Sequence, residues 1–95
     1  MATSITTDVI RPGHRLDAFE PSHSAGAVVS FTGLVRDASH GQAVSSLYLE
    51  HYPGMTERML DELEISACAQ WPLHAVDIVH RVGDLACGEV IVFVA

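Results

Sequence analysis

Lysine is missing from this chain altogether. Its five basic residues are all arginine, set against twelve acidic ones, for a formal net charge of −7 over 95 residues. Nucleic acids and anionic membranes are held by clustered positive charge, so this balance argues against both as ligands. Cysteine is nearly absent too. Cys68 and Cys87 are too few and too far apart for a disulfide framework or a CxxC site, and two free thiols fit a reducing cytoplasm. No apolar run approaches the length of a membrane span, and the N-terminus has no basic-then-apolar signal pattern. Repeats, low-complexity tracts and anything like an interdomain linker are lacking, so residues 1–95 read as a single domain. Six histidines are present, but none shows HxH, HxxxH or mixed Cys/His ligand spacing, and no metal is expected. A Ser–His–Asp reading of Ser39-His40 beside Asp37 fails, because triad members are seldom neighbours in sequence and no nucleophile elbow is present.

What the chain does have is apolar residues: 48 % hydrophobic against 18 % charged. A chain this short buries roughly 60–70 % of its unfolded surface, which leaves a thin core. Some apolar surface is therefore expected to be covered by another subunit.

Local patterning begins with a weak strand in Ser4–Ile10, which Arg11-Pro12-Gly13 is expected to end. Leu16 and Phe19 fit a short helix over 14–20, closed by Pro21. Gly26-Ala27-Val28-Val29-Ser30-Phe31-Thr32-Gly33-Leu34-Val35-Arg36-Asp37 is the organising stretch. It predicts a buried strand over Ala27–Thr32, then a break at Gly33 that delivers one arginine into a polar loop running to Gly41. The planar guanidinium of such an arginine can grip a phosphate or carboxylate in two places; the bland alternative is a surface salt bridge.

Val44–Tyr52 alternates cleanly, with Leu47, Leu49 and His51 on one face and Tyr48, Glu50 and Tyr52 on the other, which predicts a half-buried strand. Pro53-Gly54 then opens a long helix over about 55–71. Met55, Met59, Leu63, Ala67 and Trp71 form an i, i+4 row read as core, and Glu57 in the first turn suits the helix dipole. A further strand over Ala75–Val82 is followed by a turn bracketed by Gly83-Asp84 and Cys87-Gly88. Glu89–Ala95 is apolar on both faces, as a central strand would be, and is expected to be covered by a partner or by further chain. The order strand–strand–helix–strand–strand points to an α+β fold, with a mostly antiparallel sheet packed against the long helix and a short N-terminal helix besides.

The segment Leu49-Glu50-His51-Tyr52-Pro53-Gly54-Met55-Thr56-Glu57 adds a resemblance. Together with Gly26–Arg36 before it, and with His80-Arg81-Val82-Gly83-Asp84-Leu85 and Gly88-Glu89 after it, it resembles the MoaE family, the large catalytic subunits of molybdopterin synthase. The likeness runs in order from Gly26 to Ala95 and more loosely before. It implies an α/β hammerhead-type fold and a role in molybdenum cofactor biosynthesis. The implied reaction installs two sulfurs on cyclic pyranopterin monophosphate, giving the dithiolene of molybdopterin. The sulfur would come from a thiocarboxylate at the C-terminal tail of a small ubiquitin-like subunit, and two large subunits would form the central dimer of a heterotetramer. By the same resemblance Arg36 helps bind the substrate's anionic group, with Leu34 and Val35 beside it in the binding segment. His51, Tyr52, Pro53 and Met55 match a strand-to-helix junction of architectural character, and Cys87 occupies a slot that is commonly proline. No cofactor is implied.

Family members continue past the strand that ends here at Ala95, and that continuation carries a His-Arg pair and the catalytic lysines. Residues 1–95 are therefore expected to be the N-terminal portion of a large-subunit domain, with part of a substrate site and no catalytic residue of their own. A non-catalytic binding or dimerisation module that keeps the fold and the partner surface is the alternative.

Overall fold

Five consecutive apolar residues, Val90-Ile91-Val92-Phe93-Val94, can satisfy a strand only where both faces and both edges are covered. The chain uses them that way. The computed structural model describes residues 2–19, 25–36, 38, 39, 42, 43, 46–49 and 54–95. In chain order these form β1 (Ala2–Thr6), α1 (Pro12–Ala18), β2 (Phe31–Leu34), β3 (Ala38–Ser39), β4 (Gln42–Ala43), β5 (Ser46–Leu49), α2 (Met55–Gln70), β6 (Asp77–Arg81), β7 (Gly83–Ala86) and β8 (Val90–Val94). β8 lies inside a four-stranded sheet of order β1-β6-β8-β2, antiparallel to both of its neighbours, while β1 pairs with β6 in parallel. β3 pairs antiparallel with β4, and β5 with β7.

Strand alternation divides the work between the two faces of the sheet. On one face Val79 and Phe93 meet Ile10, with Val90 and Ala95 packed against them. α1 is tied to that face, where Arg15 donates to Ser4 at 3.4 Å and to Asp77 at 3.3 Å. On the other face Thr3 donates its hydroxyl proton to Asp61 of α2. Ile78 and Val94 line a groove beside Leu63 and Ala67 of the same helix. The described buried core is Ile10, Val35, Val76, Val79, Val82, Leu85 and Phe93.

Four sequence expectations are corrected. The organising strand starts at Phe31, not Ala27, and runs through Gly33 to Leu34. Phe31 pairs with Val94, and Val29 before it is 81 % exposed. Pro12 opens α1 at its first turn, where a missing N–H is tolerated, and β1 has already ended at Thr6. Residues 83–86 form β7 instead of a turn. Gly83, at φ 93, bends the chain off the line of β6, and Leu85 is buried at 1 % exposure. The long helix ends at Gln70 with Trp71 as its cap, close to expectation, but its apolar row is not core. Met55, Met59, Leu63 and Trp71 are each about 60 % exposed, and of the row only Ala67 is half-buried, beside Leu60 and Glu64 on the adjoining flank. The remaining residues of the strand read over 44–52, and the Glu50–Pro53 junction, lie outside the described residues.

Candidate functional site

β2 and β8 fall out of step at one place. Gly33 faces Val92 and Leu34 faces Val90, so Ile91 is the extra residue of a bulge. The kink sends the chain after Leu34 across the turn that precedes β8. Val35 donates its N–H to the Glu89 carbonyl at 3.0 Å and accepts from the Gly88 N–H at 2.9 Å. The Cys87 thiol sits 3.6 Å from the Arg36 carbonyl, which can accept its proton. Gly88 has φ 85, a left-handed conformation that lets the turn fold back on Val35.

Glu89 closes this turn with its side chain. One carboxylate oxygen accepts the Ala86 N–H at 2.8 Å, and the other takes the Arg81 guanidinium. Arg81 is also held by the Thr7 carbonyl at 3.3 Å, and its side chain is 11 % exposed. The Ala86 N–H and the Arg81 guanidinium keep the Glu89 carboxyl below the usual carboxylate range. Sequence reasoning passed over this brace. The Gly88-Glu89 pair, directly after a turn and before a strand, was the available signal.

The three residues expected to bind substrate therefore divide. Leu34 and Arg36 are exposed, while Val35 between them is buried at 5 % exposure with both backbone groups occupied. Among the described residues no carboxylate pairs with Arg36, whereas Arg15 pairs with Asp77 and Arg81 with Glu89. The salt-bridge alternative for Arg36 thus finds no partner among these residues. His80 points its Nδ1 at the Arg81 carbonyl, 2.8 Å away, a contact that needs the proton on Nδ1. His40 and His51 lie outside the described residues. No three described His, Cys, Asp or Glu side chains gather as metal ligands would.

Among the described residues, cavities also lie elsewhere. A cavity of about 650 Å³ between α2 and the sheet is lined by apolar side chains such as Val28, Val29, Leu63, Leu73 and Val94, with Glu64 and His74 as its ionisable members and no arginine among the described lining residues. A second, of about 430 Å³, is lined by Ser4, Thr6, Arg11, His14 and Arg15, but Asp8 shares its wall and Arg15 already pairs with Asp77. Arg36, like Arg11 and Arg58, has no ion-pair partner among the described residues, and of the three it is the one that follows the β2–β8 bulge.

Comparison with known proteins bears on the family and the fold. The profile of the MoaE protein family matches residues 5–95. The molybdopterin synthase catalytic subunit of Pseudomonas aeruginosa is 44 % identical over 95 residues, covering 99 % of this chain and 63 % of that relative. The catalytic subunit of Pasteurella multocida is 56 % identical over 72 residues, covering 76 % of this chain and 48 % of the relative. Among solved structures, the molybdopterin biosynthesis MoaE protein of Burkholderia ambifaria superposes with a TM-score of 0.82 at 37 % identity, over 99 % of this chain and 61 % of that one. Molybdopterin synthase from Staphylococcus aureus gives 0.80 at 29 % identity, over 95 % and 65 %. The chain thus spans less than two thirds of the length of these relatives. With its α+β architecture, its motifs and its matched profile in agreement, the chain belongs to the MoaE family.

Proposed function

We propose that this chain serves molybdenum cofactor biosynthesis as part of a molybdopterin synthase large subunit, supplying an anion-holding portion of the substrate site. The observation that carries this reading is Arg36, an exposed guanidinium on a backbone pinned at both faces, with no ion-pair partner among the described residues. Its relatives are named as catalytic subunits of that synthase. The substrate is cyclic pyranopterin monophosphate. Its phosphate lies against Arg36 in a charge-assisted contact, and Leu34, 53 % exposed beside it, offers an apolar shelf to the ring system. Val35 acts through its backbone, holding the segment in place. The partner is a small ubiquitin-like subunit that delivers sulfur as a thiocarboxylate, and a second copy of this chain completes a central dimer in the cytoplasm.

The sulfur transfer needs a group that attacks or moves protons at the acyl carbon, and by resemblance that group is lysine. Residues 1–95 contain none, and guanidinium stays protonated under physiological conditions. The 95-residue chain is thus expected to bind substrate without turning it over. The test supplies pyranopterin monophosphate and the thiocarboxylated small subunit, measures binding by calorimetry and assays molybdopterin as its oxidised fluorescent derivative. Arg36→Ala should weaken binding by about 1.5–3 kcal/mol. Unchanged affinity would remove Arg36 from the site; turnover near that of a full-length relative would show the chemistry resides on other residues.

A further inference from the structure

We propose that Glu89 is a positioning residue for the Arg36 anion site, an inference that rests on the reading of Arg36 given above. An arginine side chain has several rotatable bonds, so an anion held by one guanidinium gains most when the backbone beneath it is already fixed. Here that backbone hangs from the 86–89 turn. The Glu89 carbonyl holds the Val35 N–H, the Gly88 N–H holds the Val35 carbonyl, and Cys87 reaches the Arg36 carbonyl. The turn has little of its own to keep its shape. It contains a glycine at positive φ and one internal backbone hydrogen bond, from the Glu89 N–H to the Ala86 carbonyl at 3.1 Å.

The Glu89 carboxylate supplies the missing restraint. It bonds the Ala86 N–H on one oxygen and Arg81 on the other, and Arg81 is anchored in turn on the Thr7 carbonyl beyond β1. The side chain of Glu89 thus ties the turn to β6 and to the segment after β1, while its own backbone carries the base of Arg36. Glu89 meets no anion itself, since a carboxylate would repel one. It acts through Arg36.

A double-mutant cycle separates this role from a general contribution to stability. Inorganic phosphate is titrated into the 95-residue chain at neutral pH, followed by ³¹P NMR, for the parent chain, Arg36→Ala, Glu89→Gln and the double variant. Glu89→Gln keeps the shape of the side chain and an oxygen for the Ala86 N–H, and circular dichroism checks its fold. In the parent background it should weaken phosphate binding about threefold to tenfold. In the Arg36→Ala background it should have no effect. The heteronuclear NOE at the Arg36 Nε should also fall in Glu89→Gln, and this readout decides the matter if binding to Arg36→Ala is too weak to follow. Equal losses in both backgrounds, or an unchanged NOE, overturn the positioning role. Arg36→Ala weakening phosphate while Glu89→Gln leaves it unchanged also overturns it, and spares the anion site. Unchanged affinity in Arg36→Ala overturns the site reading, and the positioning role with it.

Discussion

Two of the five arginines, Arg15 and Arg81, are committed to ion pairs, and the Arg81–Glu89 pair is the one with a legible pH signature. The Ala86 N–H first, and Arg81 second, favour the charged form of Glu89, so its carboxyl titrates below the usual range in the folded chain. A depressed folded pKa stabilises the fold above the unfolded value, about 4.3 for glutamate, and that contribution is lost as pH falls through the lower folded value. Glu89→Gln cannot take part in this titration. Thermal unfolding between pH 7 and pH 3 should therefore show the gap between parent and Glu89→Gln narrowing as the medium is acidified below the ordinary carboxylate range. A gap that stays constant would mean that Glu89 is not ionised and paired in the fold.

At the level of elements, the β2–β8 pairing depends on a residue without a side chain. A Cβ at Gly33 would lie 2.8 Å from Cγ1 of Val92, its register partner, and valine cannot swing aside because its χ1 is restricted. Gly33→Ala should cost about 1–3 kcal/mol in urea unfolding, in line with other overpacked sites. Adding Val92→Ala should return part of that loss, so the double variant is more stable than the two single losses summed. Strict additivity would mean that the clash relaxes elsewhere. The same contact explains why the strand accepts glycine in its middle, where sequence patterning predicts a break. α2 follows a different logic. The Glu57 carboxylate accepts the Gly54 N–H at 2.7 Å and so caps the first turn, but the helix meets the sheet on a flank. Its Met55–Met59–Leu63 row stays largely exposed, Leu63 at the rim of the cavity between α2 and the sheet.

Across the whole molecule, that row joins other exposed apolar side chains. Val28, Val29, Phe31, Ile65 and Trp71 are all between about half and four fifths exposed. The radius of gyration is 14.7 Å, against about 12 Å for a compact chain of this length. A monomer with so much apolar surface in water invites association. The chain should sediment at micromolar concentration as a dimer or larger species, and Met59→Glu on the exposed row should shift it toward the monomer. A parent chain that runs as a monomer and binds no hydrophobic dye would show that this surface needs no cover. No helix among the described residues is long and apolar enough to cross a membrane.

Periodicity carries local information, and here it determined a good deal. The doubly apolar run at 90–94 specified a central strand, and the i, i+4 spacing of 55–71, closed by Pro72, specified α2 to within a residue. Gly33-x-x-Arg36 placed one arginine just past the end of β2. Tertiary structure decided the rest. Where α2 meets the sheet, Thr3 and Asp61, residues 58 positions apart, are brought into hydrogen-bond contact. The register of β2 depends on β8, some sixty residues further along the chain. That 83–86 is a strand depends on β5 being there to pair with it. The bracing of Arg36 joins Thr7, Arg81, Ala86 and Glu89 to Val35, residues that no local pattern links. Each of these is a contact between segments distant in sequence, so its strength depends on how the fold brings them together, and periodicity within one segment holds no record of that.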